Sequence, residues 1–411
     1  MEFKYPYAMP TNYQSPGVPT KECAKPNKPL TKSSSGLPVD SLSFTVDPET
    51  CKKVVPKLFQ PLTIKDTTLK NRIVVSPMCQ YSCIDGAMND WHLVHLGSFA
   101  KGGASMIIFE ASAVVANGRI SPFDSGIWCD EQIAPLKRIN DFVHTFKCLT
   151  TMQIAHAGRK ASTIPPFLEN GRMPSTVENS GWTNLDGASP LAWDGEHLVP
   201  HELTVEEIQS VVQAFVDAAI RCEKAGFDAV EIHGAHGYLI DSFLSPTSNK
   251  RTDQYGGSFL GRIKLLLDIV KAVRAVWKKL LLVRISCEEW VADGWHLDDS
   301  IALARHLHEL DVDILDCSSG GNSHNQKIAF GPLYQVPFAE GIKKAIPGLI
   351  TSAVGLINTP EEAMSVIDEQ RADIVMMARP FLRDPFWPLH AAHSIGLEVD
   401  YALQYNMAKY R

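Results

Sequence analysis

The chain has 411 residues, 45% of them hydrophobic and 21% charged, with a formal net charge of −7 and a pI of about 6.1. That acidic balance argues against nucleic acid as a partner, because phosphate binding needs a basic face, and no apolar run reaches the roughly 18 residues that span a bilayer. Nine scattered cysteines without a C-x-x-C pair read as reduced thiols rather than a disulfide frame or zinc ribbon, and Met1 to Pro10 lack the apolar core of a secretory signal, so a cytoplasmic protein is expected.

Residues 1–55 differ in texture from the rest. Pro6, Pro10, Pro16, Pro19, Pro26, Pro29 and Pro38 punctuate a stretch rich in Ser, Thr, Lys and Asn, which buries too little apolar surface to offset its ordering entropy. It is expected to be a flexible arm, or a strap ordered only against the body, with residues 56–411 forming one domain. From Leu58 onward, short apolar, β-branched runs alternate with amphipathic stretches. The runs are Arg72–Ser76, Met106–Ala111, Thr150–Ala155, Ala229–His233, Leu281–Ser286, Asp313–Cys317, Leu349–Ala353 and Ile374–Ala378. Near-continuous apolar runs suit strands buried on both faces of a parallel sheet.

Helical patterns separate them. The clearest spans about Val205 to Ala225, opened by a Thr204/Glu207 capping box and closed by Gly226. Leu260–Val276 and Ser300–Leu310 read the same way, and Thr359-Pro360 reads as a helix start. Eight strands alternating with helices predict a single (β/α)8 TIM barrel rather than an open doubly wound sheet, and no G-x-G-x-x-G follows a strand. The active site of such a barrel lies at the C-terminal ends of its strands. Arg159–Leu203, rich in Pro and Gly, is long for a connection after a third strand and is expected to be a functional lid rather than a plain excursion over the rim.

The polar residues at those strand ends carry the chemical reading. Cys79 and Tyr81 follow the first run, although a small buried hydrophobe is the plainer account of the cysteine. Gln153, His156 and Arg159 end the third. The fourth places His233, His236 and Tyr238 within six residues, and Gly234 and Gly237 permit a turn that brings both rings to one pocket. Such donors clamp an oxygen that gains negative charge, and a phenol beside them can act as general acid. H-x-x-H spacing can also bind zinc, with Cys79 or His156 as third ligand, which leaves a metal-dependent hydrolase as an alternative. Arg284 and Arg379 end the fifth and eighth runs. Each calls for an anionic ligand or an internal salt bridge to Glu110, Asp316 or Asp373. With Ser352, Ala353, Val354 and Gly355 after the seventh strand and Ala378 before Arg379, a phosphate site is the expectation.

Four long motifs make the chain resemble the old yellow enzyme family, in its bacterial-type, thermophilic-like class that fungi also carry: LKNRIVVSPMCQYS at Leu69–Ser82, QIAHAGRKA at Gln153–Ala161, AVEIHGAHGYLIDSFLSPTSNKRTDQYGGS at Ala229–Ser258 and DILDCSSG at Asp313–Gly320. The similarity runs from about Leu58 to Tyr405. It implies FMN bound across the strand ends, with NADPH or NADH as hydride donor and an enone-type small molecule as substrate. By motif position, Ser76, Pro77, Met78 and Cys79 would line the flavin, Ala111 pack near its ring, Gln153 meet its pyrimidine edge and Arg284 sit by N1 and the C2 carbonyl. Ser352 to Gly355, Ala378 and Arg379 would hold the phosphate. His233 and His236, aided by Tyr81, would bind the substrate carbonyl, and Tyr238 would donate the proton. Cys79, where the yeast-type class has threonine, would tune the flavin potential. The implied activity is reduction of the C=C bond of α,β-unsaturated carbonyl compounds; redox-neutral isomerisation or cyclisation on the same scaffold is the alternative.

The chain also departs from the family pattern. The usual Q-Y-x-R ending, whose arginine enters the neighbouring subunit's site, is here Gln404-Tyr405-Asn406-Met407, with Arg411 at the terminus, which puts the usual homodimer arrangement in question. Ala378 and Ser352 stand where glycines are common, and a Cβ is costly wherever φ must be positive. Gly261 replaces an asparagine before Arg262. Together with the Pro-rich arm, these changes suggest a specialised member, in secondary metabolism.

Overall fold

A computed structural model describes residues 16–18, 55–168, 170–175 and 177–410 of the chain. Eight strands close a barrel: β1 (Ile73–Val75), β2 (Met106–Ala113), β3 (Leu149–Ala155), β4 (Ala229–Gly234), β5 (Leu280–Ser286), β6 (Ile314–Ser318), β7 (Ile350–Val354) and β8 (Ile374–Met377), with β8 paired back onto β1. Every neighbouring pair is parallel. Helices follow the strands in turn: α1 (Asp90–Lys101), α2 (Ile133–His144), α3 (Val205–Lys224), α4 (Phe259–Val276), α5 (Leu297–Glu309), α6 (Val336–Ala345), α7 (Pro360–Asp368) and α8 (Trp387–Ser394). All eight predicted runs are barrel strands, so the (β/α)8 expectation holds.

The reason the runs read as continuously apolar is visible in the packing. On β5, Leu281 and Val283 join the core between barrel and helices, while Leu280 and Leu282 join a second core inside the barrel. β8 repeats the pattern, with Val375 and Met377 outward and Ile374 and Met376 inward. Both phases of the two-residue repeat are buried, so alternation carries no polarity signal.

Helix starts follow local chemistry. Thr204 Oγ1 accepts from Glu207 N–H at 3.2 Å while Glu207 Oε2 accepts from Thr204 N–H at 2.7 Å, the capping box read from the sequence. α5 begins at Leu297, earlier than the predicted Ser300, because Asp299 Oδ2 accepts from the His296 N–H at 3.1 Å there. Among the elements not foreseen is an antiparallel hairpin of Leu62–Ile64 and Thr67–Leu69. Its Ile64 and Leu69 join the inner core with Val74, Met106 and Ile108, closing the N-terminal mouth of the barrel.

Of the N-terminal arm, Pro16–Val18 is described. Gly17 N–H donates to Asp400 O and Asp400 N–H to Val18 O, both at 2.9 Å, and Pro16 and Gly17 are buried. Val55 at its end packs against the core, and the remaining arm residues and Arg411 lie outside the described residues. No helix among the described residues is long and apolar enough to cross a membrane.

Candidate active site

Followed upward along the strands, the inward positions change chemistry. On β4 they run Ala229, Glu231, His233; on β5, Leu280, Leu282, Arg284; on β6, Ile314, Asp316, Ser318. The upper part of the barrel is therefore a buried polar girdle. Gln153 Nε2 donates to Glu231 Oε1 at 2.7 Å, Arg284 Nη1 donates to Ser76 Oγ at 3.2 Å, and Ser352 Oγ donates to Asp316 Oδ1 at 3.0 Å. Arg284 Nε lies 3.0 Å from Asp316 Oδ2 yet makes no aligned hydrogen bond, so the pair is close in charge but leaves both atoms unsatisfied. Glu231 Oε2 is likewise buried without a partner. Burial and the nearby Asp316 push the Glu231 carboxyl well up, against the pull of Arg284, and burial raises Asp316 too. The internal pairing foreseen for Arg284 with Asp316 is present, and the guanidinium keeps unused donor capacity.

The turn after β4 gathers the two imidazoles and the phenol. The rings of His233 and His236 are 5.2 Å apart at 83°, and His233 and Tyr238 are 5.1 Å apart at 81°. Ala235 N–H donates to His233 Nδ1 at 3.3 Å, so the His233 proton sits on Nε2 as a free donor. His236 Nε2 is 2.8 Å from Ser318 Oγ. Burial, Arg284 and Lys160 hold His233 well below its ordinary pKa, and burial, Arg284, His233 and Lys160 do the same to His236. Both rings are therefore neutral at pH 7. Burial, with Cys79 and Asp124 nearby, keeps the Tyr238 phenol protonated.

The sequence reading of this turn needs one correction. Gly237 takes φ +75°, and an added Cβ would run into the Gly321 carbonyl, but Gly234 is not in the left-handed region. His236 itself carries the second positive φ, at +63°. That strain is held from outside. His236 N–H donates to Ser286 Oγ at 2.9 Å, Gly237 N–H donates to Asp241 Oδ2 at 2.6 Å, and Lys160 Nζ donates to His236 O and Gly321 O, each at 2.9 Å. Burial lowers Lys160 to about 8 and raises Asp241 to about 8. Lys160 went unread in the sequence. Its only signal was a second cation beside Arg159, which bonds Asn322 O at 2.8 Å.

The long connection after β3 is fastened to this turn. Trp193 Nε1 donates to Gly321 O at 3.0 Å and lies over Lys160 Nζ at 4.6 Å, while Trp182 Nε1 donates to Asn117 O at 3.0 Å. These contacts fasten the connection over the rim. From β1, Ser76 is buried and Pro77, Met78 and Cys79 are half-buried beside it. Burial, Asp124 and Glu110 push the Cys79 thiol far up, so it stays neutral. Tyr81, at φ +51°, meets the exposed Phe167 edge-on at 5.9 Å.

Two further expectations change. Ser352 lies inside β7 with its hydroxyl on Asp316, Ala378 has φ −106°, and the positive φ values at this end belong to Gly355 (+118°) and Leu356 (+51°), so neither Cβ carries the backbone strain foreseen for it. Zinc through His233 and His236 lacks its third ligand. His156 Nδ1 accepts from Gly158 N–H at 3.0 Å and its Nε2 faces Asp186 at 3.2 Å. The one cluster of possible metal donors among the described residues is Cys83, His92 and Glu110, apart from both histidines. Even there, His92 Nδ1 accepts from Asn89 N–H, which leaves Nε2–H facing Glu110 rather than a lone pair. Gly261 is explained by packing, since a Cβ would strike the Gly256 carbonyl. The Gln404–Met407 stretch forms an exposed 3₁₀ turn, and Met407, at the position of the family arginine, is 89% exposed.

A flavin mononucleotide fits this arrangement. Arg284 offers an unsatisfied Nε at one side, Arg379 is exposed without an ion pair among the described residues, and both guanidinium groups act on the same Tyr334 phenol. Gly355, at φ +118°, packs closely under Gln335 and Tyr334, where a Cβ would stand 2.6 Å from Gln335 Nε2. The NADH:flavin oxidoreductase / NADH oxidase family matches residues 57–398. An NADPH dehydrogenase of Bacillus pumilus is 43% identical over 354 residues, covering 86% of this chain and 99% of that protein. One from Halalkalibacterium halodurans is 41% identical over 354 residues, covering 86% and 98%. Among solved structures, a 2-naphthoyl-CoA reductase complex aligns with TM-score 0.72 at 24% identity over 82% of this chain and 52% of that one. Morphinone reductase in complex with tetrahydroNAD aligns with TM-score 0.70 at 24% identity over 84% and 92%, and both speak for the fold alone. The chain belongs to the NADH:flavin oxidoreductase / NADH oxidase family, and is an old yellow enzyme-type oxidoreductase that works with FMN and NAD(P)H.

Proposed function

We propose that this enzyme reduces the carbon–carbon double bond of α,β-unsaturated carbonyl compounds at the expense of NADPH or NADH. The observation that carries the reading is the near-perpendicular pair of neutral imidazoles with a protonated phenol beside them. The free Nε2–H of His233 is a fixed donor for a carbonyl oxygen, and His236 stands as its partner across the turn. A neutral donor suits an oxygen that becomes enolate-like, because it strengthens its hydrogen bond as charge develops without first surrendering its proton. Tyr238 is the acid that protonates the α-carbon, and Tyr81 adds a second phenol at the mouth. When bound, FMN supplies the hydride carrier between nicotinamide and alkene. Cys79, Gln153 and Arg284 are the side chains set to adjust its electronics. Gly355, Ala378 and Arg379 are set to hold its phosphate, with Ser352, Ala353 and Val354 shaping the strand beneath.

The test is NADPH oxidation with cyclic enones, maleimides and nitroalkenes, with product mass recorded. A product two hydrogens heavier than substrate, formed in step with NADPH loss, supports the reading. A product of unchanged mass without NADPH loss moves it to redox-neutral isomerisation.

A further inference from the structure

A buried carboxyl shares a cleft with Tyr238. Asp124 is 2% exposed on the loop after β2. Its Oδ1 accepts from Ser121 Oγ at 2.6 Å and its Oδ2 from Ile120 N–H at 2.7 Å, and no cation among the described residues forms an ion pair with it. The cleft is lined by Asp124, Tyr238, Ala111, Ala157, Arg119 and Ile120, of which Tyr238, Arg119 and Ile120 are half-buried. It has room for about one water, the minimum for a bridged proton path. Arg119 is itself pinned by bonds to Ala116 O at 2.9 Å and Pro122 O at 3.0 Å, under Trp128 and Trp182, and forms no ion pair among the described residues although Asp124 and Asp85 act on its charge.

We infer that Asp124 is a proton-relay residue that reloads Tyr238 from solvent after each turnover, an inference that rests on the proposed alkene reduction. When the phenol protonates the α-carbon, the Tyr238 O–H bond breaks and the C–H bond forms. The phenolate then takes the proton of the Asp124 carboxyl through the cleft, and the resulting carboxylate takes a proton from solvent past Arg119 and Ile120. No electrons move in this sequence. The direction is downhill, because Tyr238 is held far up while burial and Glu110 raise Asp124 only to about 7, against its bonds to Ser121 and Ile120. A carboxyl at that value is half loaded near neutral pH, the best compromise for a group that both donates and recovers a proton. The charged and titratable groups facing it are Glu110 from β2, Arg119 from its own loop, Cys79, Tyr81 and Cys83 from the segment after β1, and Tyr238 from the turn after β4.

The test uses the FMN-loaded enzyme and its Asp124→Asn and Asp124→Glu variants, with NADPH and a cyclic enone or, as a control that requires no proton on carbon, ferricyanide. Asp124→Asn is expected to lower enone turnover at pH 7 by about 10- to 100-fold, to abolish the alkaline limb near pH 7, and to recover part of its rate with added imidazole or formate. Ferricyanide reduction stays within about twofold of wild type, and Asp124→Glu restores the limb. Infrared titration of the protein, independent of turnover, should show a carboxyl band lost around pH 7 that is missing in Asp124→Asn. Enone turnover unchanged in Asp124→Asn, or no such band in wild type, overturns the relay. If Asp124→Asn does not fold, Tyr238→Phe decides. Persistence of the alkaline limb in its residual activity overturns the relay, and loss of the limb supports it. Wild-type enzyme that reduces ferricyanide but no alkene defeats the underlying reading instead.

Discussion

The two ends of one barrel are built from the same strands and obey opposite rules. At the N-terminal mouth, inward positions such as Val74, Met106, Leu280 and Ile374 are apolar and sealed by Ile64 and Leu69 of the hairpin. Outside that seal, Lys65 reaches Asp313 at 2.6 Å and Asp311 at 2.8 Å, and Arg274 reaches Asp313 at 2.7 Å, so each charge has a partner. A few residues further along, the inward positions become Glu231, Arg284 and Asp316, with oxygens and a nitrogen left unpaired. His236 holds a conformation that costs of order 1–3 kcal/mol. At the first mouth the ion pairs close, though Arg274 Nε stays unbonded and Lys65 and Asp311 also take positive φ; at the second, carboxylates and a guanidinium facing the barrel interior keep unpaired atoms.

That contrast can be broken from either side. The largest effect is expected at His233→Ala, which removes the free Nε2 donor and should lower kcat/KM for an enone by about 10²–10³-fold with FMN still bound; steady-state kinetics and the flavin spectrum check both halves. Arg284→Met should cost about 3–5 kcal/mol, because Asp316 is left buried without its cation, and should weaken FMN retention as well; chemical denaturation and flavin release measure these. Leu69→Ala at the opposite mouth should cost about 2–4 kcal/mol through a cavity in the inner core yet leave kcat/KM within about threefold. A large kinetic loss there would mean the two ends are not separable.

The smallest effect is on pH dependence. Asp241 is pushed up to about 8, chiefly by burial and partly by Glu289. A carboxyl that binds its proton more tightly when folded contributes stability in full below the ordinary carboxylate pKa, and that contribution is lost as pH rises through about 8. Asp241→Asn, which keeps an oxygen for Gly237 N–H, should flatten the fall in Tm between about pH 6 and 9. An unchanged slope would remove Asp241 from the account.

The same contrast explains what the sequence made legible. All eight barrel strands stood out because both faces are buried and apolar runs result. The hairpin did not, because its three-residue strands carry Thr63, Thr67 and Thr68 and only its ends reach the core. At the active end, residue types and strand-end placement marked His233, His236, Tyr238, Gln153 and Arg284, and the Arg284–Asp316 pairing was among the alternatives. Glu231, Lys160 and Asp124 went unread, since each acquires its meaning from a neighbour distant in sequence: Gln153, the carbonyls of His236 and Gly321, and Tyr238 across a cleft. The turn itself was misassigned at Gly234, because a histidine in the left-handed region has no signature in composition.

The clasp between Pro16–Val18 and Asp400 rests on main-chain atoms alone. It places no demand on the side chain of Val18, while the Asp400 carboxylate has a partner of its own in Lys409 Nζ at 3.2 Å. Gly17 is different, because a methyl group there would stand 2.6 Å from the Gly103 oxygen, and a Cβ on Gly103 would crowd Gly17 in return. The two glycines therefore form a single unit, in which a side chain gained at either one presses on the backbone of the other.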